Sequence, residues 1–409
     1  MIEPAEPFGL ILLIVGVIII ASLLVRTQFP RLQLPAMVGY ILIGMALFVG
    51  GSAIGHVTPL LRENLEFLAQ LGVVVLLFRV GLESDLDLLV QQLGKAALIW
   101  LPNMAIAALF GFAVVYYWPG YGLIPALFMA VAASATSISA SAAIWEEAGA
   151  LKTPEGALLL DAAELDHIAA VILMSLLFAL LPLLTGATED SPWSTGATVV
   201  GLQLLKLAVL SAGCYIFSRR FERPLTAWFA KIDNHLGSLL FATGIALLIA
   251  ALADLLGFSL AIGALFAGLA FSRDPAGREI DRSFSELFVL LSPFLFVAIG
   301  LSVDITVLLD ALGLSLVLLV ATALGKFLGA AIPASLLTSP REGALIGVSM
   351  IPRAEIFLIV MLHGVMLGGW AVPKQLYVAA VFVSIATCIL SPIIVRRLLT
   401  VRTQLEEAR

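Results

Sequence analysis

The stretch DAAELDHIAAVILMSLLFALLPLL, residues 161–184, decides what kind of protein this is. Its second half is apolar but for Ser175, while its first half packs Asp161, Glu164, Asp166 and His167 into seven positions. In water the run would need a core to hide in; in a bilayer the charged residues would be costly. Composition chooses between the two. Of 409 residues, 61% are hydrophobic and 12% charged, with a mean hydropathy of +1.10. A soluble domain carries about 25% charged and about 45–50% apolar residues. One water-soluble core cannot absorb that excess, so the chain reads as an all-α integral membrane protein. Its apolar runs suit helices crossing about 30 Å of hydrocarbon, and the alternating ten-residue strands of an outer-membrane barrel are absent from the sequence.

Apolar segments broken by turn residues give thirteen expected spans, near 7–26, 35–51, 65–83, 96–117, 122–144, 157–184, 195–217, 236–254, 258–272, 284–302, 307–337, 342–367 and 375–395. Lys and Arg orient them. With the N-terminus outside, sixteen basic residues fall in cytoplasmic loops and tail, from Arg26 and Arg31 through Arg219, Arg220 and Arg223 to Arg409. Only Arg62 and Lys374 fall outside. That positive-inside bias predicts a multi-pass protein of the cell (inner) membrane, N-terminus out and C-terminus in. The N-terminal MIEPAEP lacks a basic n-region and cleavage site, so the first span is expected to be retained. Cys214 and Cys388 sit in apolar runs and read as packing residues rather than a disulfide or metal site. No Gly-rich phosphate loop or cluster of metal ligands occurs, so neither an enzyme nor a cofactor or metal is expected, and no nucleic-acid partner.

The seventh span leaves six on either side, and an even number makes the two sixes inverted with respect to the membrane, a transporter architecture. Both halves carry a candidate broken helix in the matching place. The fifth span contains AASATSISASAA, 132–143, a mid-span run of small and hydroxyl residues that includes Thr136 and Ser137. The twelfth contains SMIPRAEIF, 349–357, where Pro352 interrupts the helix and Arg353 and Glu355 lie at depth. Two discontinuous helices around a midplane site are therefore expected.

On the sixth span, Asp161, Glu164 and His167 fall on one stripe at i,i+3 spacing, running from the cytoplasmic end to near the midplane. Such a stripe suits a proton path. Asp166 points about 100° from His167, toward another partner. Lys326, midway along the eleventh span in ALGKFLGAAIP, would be expensive alone, and Asp166 is its natural partner. Of the other basic residues inside spans, Arg79 has Glu83 one turn on, and Lys206 reads as a snorkelling residue near a helix end.

Five stretches together resemble the monovalent cation:proton antiporters of the second cation-proton antiporter family, in its sodium/proton exchanger branch. They are VVLLFRVGLESDLDLL (74–89), SATSISASAAIWEEAGALKTPEGALLLDAAELDH (134–167), PFLFVAIGLSVDI (293–305), ALGKFLGAAIPASLL (323–337) and GVSMIPRAEIFLIV (347–360). The resemblance implies two inverted six-helix repeats with two crossed discontinuous helices, and a homodimer whose core moves against a dimerisation domain in an elevator-like motion. Mapped onto this chain, it implies a dimerisation domain from 1–95 and 236–306, a core from 96–186 and 307–395, a linker helix within 187–235, and a tail at 396–409. It implies an ion and proton site at Asp166 with Lys326 as its partner; the residues themselves add His167 and Glu164 to that site, with Asp161, Thr136, Ser137, Arg353 and Glu355 as its expected support. Two departures stand out: His167 replaces the usual transport aspartate, and Asp161 and Glu164 replace small or apolar residues. Imidazole is a poor ligand for Na⁺ or K⁺, yet its ordinary pKa of about 6.5 suits a proton carrier or pH switch. The leading expectation is an antiporter exchanging protons for a monovalent cation, Na⁺ or K⁺. A proton-coupled carrier of an anionic or organic solute, and a non-transporting relative that kept the fold, are the rivals.

Overall fold

The computed structural model describes residues 8–32, 34–54, 59–83, 86–137, 139–186, 192–233, 236–272 and 277–407. The N-terminal MIEPAEP, Arg273 and Arg409 lie outside the described residues. Among the described residues the regular structure is entirely helical. In chain order the α-helices are α1 (Phe8–Gln28), α2 (Ala36–Ile54), α3 (Pro59–Glu83), α4 (Leu86–Tyr117), α5 (Leu123–Ser134), α6 (Ser139–Glu147), α7 (Pro154–Leu184) and α8 (Pro192–Phe217). There follow α9 (Arg223–Ile232), α10 (Gly237–Leu255), α11 (Leu260–Phe271), α12 (Gly277–Leu301), α13 (Leu308–Leu337), α14 (Pro340–Ser349), α15 (Glu355–Leu367) and α16 (Lys374–Glu407). Nine helical segments among the described residues are long and apolar enough to cross a membrane, and four apolar helices are shorter.

Several expected boundaries move, for a common reason. The apolar stretch marks where a helix is buried in lipid, whereas capping and turn residues mark where it ends. α7 begins at Pro154 because Thr153 caps it, its side chain accepting from Gly156 N at 3.2 Å, with Pro154 at the first position and Glu155 in the first turn. α3 and α4 start earlier than expected, and α16 runs past 395 to Glu407. After α8 a five-residue π-helical turn, Ser218–Glu222, leads into the short amphipathic α9, in a region read from the sequence as loop.

The chain divides into two compact units. One comprises residues 1–87 and 186–302. Its helices are locked by glycine contacts of the kind that let membrane helices approach closely. A Cβ on Gly300 would overlap Ile41 O and meet the Gly44 Cα at 3.0 Å; one on Gly268 would overlap Phe78 O and meet the Gly81 Cα at 2.9 Å. Thus α2 crosses α12, and α3 crosses α11, backbone to backbone. Phe78, Phe271 and Phe284 fill the space between. Lys206 donates to Leu256 O at 2.9 Å, capping the end of α10. Arg79 stacks over the Phe288 ring at 5.1 Å; the Glu83 side chain lies outside the described residues.

The second unit comprises residues 88–185 and 303–409. Here the fifth and twelfth spans are each two helices. α5 stops at Ser134 and α6 starts at Ser139; α14 stops at Ser349 and α15 starts at Glu355. Gly325 and Gly329, one turn apart on α13, bring that helix onto α4, where a Cβ on Gly329 would meet the Asn103 Cα at 2.6 Å.

Candidate functional site

Breaking a helix inside a membrane frees backbone groups that no water is there to satisfy, so protein groups must take them up. In the second unit that requirement explains nearly every polar contact at the breaks. Ser137 N donates to Pro352 O at 2.9 Å, joining one break directly to the other. Ser137 Oγ donates to Glu355 Oε2 at 2.7 Å. Arg353, fully buried, donates through Nη1 to Ala135 O and through Nη2 to Thr322 O at 3.3 Å. Its own backbone is held by α16: Arg353 N donates to Thr387 Oγ1 at 3.1 Å, and Arg353 O accepts from Ser384 Oγ at 2.6 Å. Farther out, Trp145 Nε1 donates to Ser349 Oγ at 2.9 Å, tying α6 to α14.

Asp166 sits among these groups with no exposed surface. Lys326 Nζ, also fully buried, lies 2.6 Å from Asp166 Oδ2 and donates to Ser134 O at 2.6 Å. One ammonium therefore neutralises the carboxylate and caps the freed end of α5. Thr136 Oγ1 at 2.5 Å and Asn103 Nδ2 at 2.7 Å donate to the same Asp166 Oδ2. Among the described residues, Asp166 Oδ1 has no hydrogen-bond partner.

His167 is half-buried on the next position of α7, and Glu355, Asp166 and Lys326 are among the charged groups near its ring. Asp161 and Glu164 are half-buried on the same helix toward its capped start. Because α7 begins at Pro154, His167 stands thirteen residues along it, about 20 Å. The structure thus gathers Asp166, Lys326, Thr136, Ser137, Arg353, Glu355 and His167 around the two breaks. It adds Asn103, which the sequence reading passed over. The available signal was small: an amide directly after Pro102 in the middle of an apolar span.

Chemically, the cluster holds two buried cations, Lys326 and Arg353, against two carboxylates, Asp166 and Glu355. Both terminal nitrogens of Arg353 are taken up by backbone carbonyls, and Lys326 by Asp166 and Ser134 O. What remains available is carboxylate and amide oxygen, suited to a hard cation or a proton. Among the described residues, no group of three or more His, Cys, Asp or Glu is placed to hold a metal ion.

Comparison with known proteins agrees with this architecture. The family profile described as "Sodium/hydrogen exchanger, transmembrane" matches residues 17–401. The chain is 29% identical over 401 residues to a Na⁺/H⁺ antiporter of Enterococcus hirae, covering 96% of this chain and 97% of that protein. It is 26% identical over 391 residues to the Na⁺/H⁺-K⁺ antiporter GerN of Bacillus cereus, covering 92% and 93%. Among solved structures, the sodium proton antiporter MjNhaP1 of Methanocaldococcus jannaschii superposes with a TM-score of 0.76, covering 96% of this chain and 98% of that one. At 14% identity that match speaks to the fold.

Proposed function

Because the chain belongs to the sodium/hydrogen exchanger family, we propose that it is a secondary antiporter, moving protons one way and a monovalent cation, Na⁺ or K⁺, the other. The observation that carries this is Asp166: a fully buried carboxylate at the joined breaks of two helices, with one oxygen bound to Lys326 and the other open. A site of that kind can be neutralised by the ammonium, by a proton or by a cation, and each occupant excludes the others. Mutual exclusion is what obliges exchange. With both buried cations already paired, the balance of the site favours a positively charged cargo over an anionic one.

His167 adds a second control. Imidazolium beside Asp166 and Glu355 would compete with a cation for the same negative charge; neutral imidazole would not. Raising the pH then strengthens cation binding through this residue, with Asp161 and Glu164 lying on the cytoplasmic approach to it. The unit of 88–185 and 303–409 is the moving core in this scheme. The unit of 1–87 and 186–302 is the scaffold through which two copies pair, working by an elevator-like motion in the cell membrane with the C-terminus cytoplasmic.

The test is uptake of ²²Na⁺ or ⁸⁶Rb⁺ into proteoliposomes with an acidic interior. Uptake that follows the imposed pH gradient and collapses with a protonophore supports the proposal. Proton-coupled uptake of an anionic or organic solute with none of either cation would replace it.

A further inference from the structure

Asn103 is the one member of this cluster that neither charge nor spacing announces, and its bonding is lopsided in a telling way. Its amide nitrogen donates to Asp166 Oδ2 at 2.7 Å, while its amide oxygen, fully buried, has no hydrogen-bond partner among the described residues. The assignment of nitrogen and oxygen is fixed by chemistry, because a carboxylate oxygen flanked by Lys326 only accepts. Asp166 mirrors the pattern: among the described residues three donors converge on Oδ2, and none reaches Oδ1. A buried acceptor left without a donor costs about 1–3 kcal/mol, and two such oxygens on hydrogen-bonded neighbours double the expense. An arrangement serving only to hold Lys326 would share its donors between the oxygens.

We propose that Asn103 Oδ1 and Asp166 Oδ1 are paired ligands of the transported cation, one neutral and one charged oxygen. This rests on the exchange function proposed above and specifies where the cation sits. Each oxygen shares its Cγ with one end of the Asn103–Asp166 hydrogen bond, so in this proposal a single ion sits between the two. Hard monovalent cations take oxygen ligands, which the imidazole of His167 does not offer; the site therefore lies on the α4 side of the carboxylate. The position of Asn103 is built in. Pro102 precedes it within α4, and Gly329 of α13 allows the two backbones to meet at Asn103. One neutral ligand also makes Asn103 a determinant of cation selectivity, since the charged ligand is common to every monovalent ion.

The experiment compares wild type, Asn103→Ala and Asn103→Asp in proteoliposomes. It reads half-saturation and maximal rate of proton movement for Li⁺, Na⁺ and K⁺, with cation-dependent thermal stabilisation of the purified protein as a second readout. Asn103→Ala removes both the oxygen and the Nδ2 donor, so half-saturation should rise about 10- to 100-fold, the range for a neutral partner of a charged group, and by more than the maximal rate falls. Asn103→Asp removes the donor but keeps an oxygen and adds charge. It should lower half-saturation and compress the differences among the three cations. A residue that merely orients Asp166 through Nδ2 would give the opposite, with both variants losing maximal rate together and selectivity unmoved; that result overturns the proposal. Should Asn103→Ala fail to fold, Asn103→Asp decides by the same criteria. If wild type moves no protons with any of the three cations, the exchange function falls; if it does and both variants keep wild-type half-saturation and selectivity, only the Asn103 assignment falls.

Discussion

Replacing Lys326 by Met should destabilise the protein more than removing the whole ion pair. Lys326 Nζ is fully buried, 2.6 Å from Asp166 Oδ2 and 2.6 Å from Ser134 O. Methionine fills similar space but removes the Lys326 donor from Ser134 O and, among the described residues, leaves Asp166 with the Thr136 and Asn103 donors. Breaking a buried pair by deleting one partner costs about 3–5 kcal/mol, because an uncompensated charge stays buried. In a unit of about 200 residues, roughly 2–4 °C per kcal/mol translates this into a melting-temperature loss of about 6–20 °C. The double variant Asp166→Asn/Lys326→Met removes both charges and should recover most of that loss, since replacing a buried pair by neutral groups is often tolerated. Melting curves of the detergent-solubilised wild type, both single variants and the double variant form the cycle. A Lys326→Met protein as stable as wild type, or a double variant no more stable than it, would refute the reasoning.

Three further outcomes follow from other contacts. Gly329→Ala should disrupt the α4–α13 crossing, because the new Cβ meets the Asn103 Cα at 2.6 Å and Pro102 O at 2.9 Å; a loss of about 1–3 kcal/mol is expected from overpacking, and Gly313→Ala, with nothing nearer than Trp118 Cη2 at 4.0 Å, should be neutral or slightly stabilising in the same melting assay. Asp304, in the segment between α12 and α13, is held at about 2 by hydrogen bonds from Thr306 and Lys374; its folded value lies below the ordinary one near 3.9, so its contribution is present above about pH 4 and lost as the pH falls through 2, and Asp304→Asn should flatten that part of an acid-denaturation curve. His167→Ala should remove one component of the pH dependence of cation affinity in flux assays, whereas an unchanged profile would leave the proton to Asp166 or the other acids.

The membrane class, the two broken spans and the burial of Asp166 and Lys326 were legible in the sequence because each depends on local features: hydropathy, a proline, a charge in an apolar run. What escaped depends on partners distant in the chain. Asn103 carries no charge and meets Asp166 across 63 positions, so no window of sequence links them. Glu355 reaches the neighbourhood of His167 only because Ser137 and Pro352 join the two breaks. From the sequence alone, Glu164 stood in the ion site and Glu355 in its support, and that α15 brings Glu355 near His167 was not visible. Gly44 and Gly81 were visible as glycines, but their partners Gly300 and Gly268 were not. Helix starts shifted where polar first turns, such as Arg62 to Glu66 in α3, are helical without being apolar.

The central claim is that Asp166 carries cation and proton in alternation, and proton movement in proteoliposomes tests it most directly. With a pH-sensitive dye inside the vesicles, adding Na⁺ or K⁺ outside should drive proton efflux in wild type, and Asp166→Asn, matched for fold and for amount reconstituted, should show none. Cation-driven efflux of wild-type size in Asp166→Asn would contradict the account.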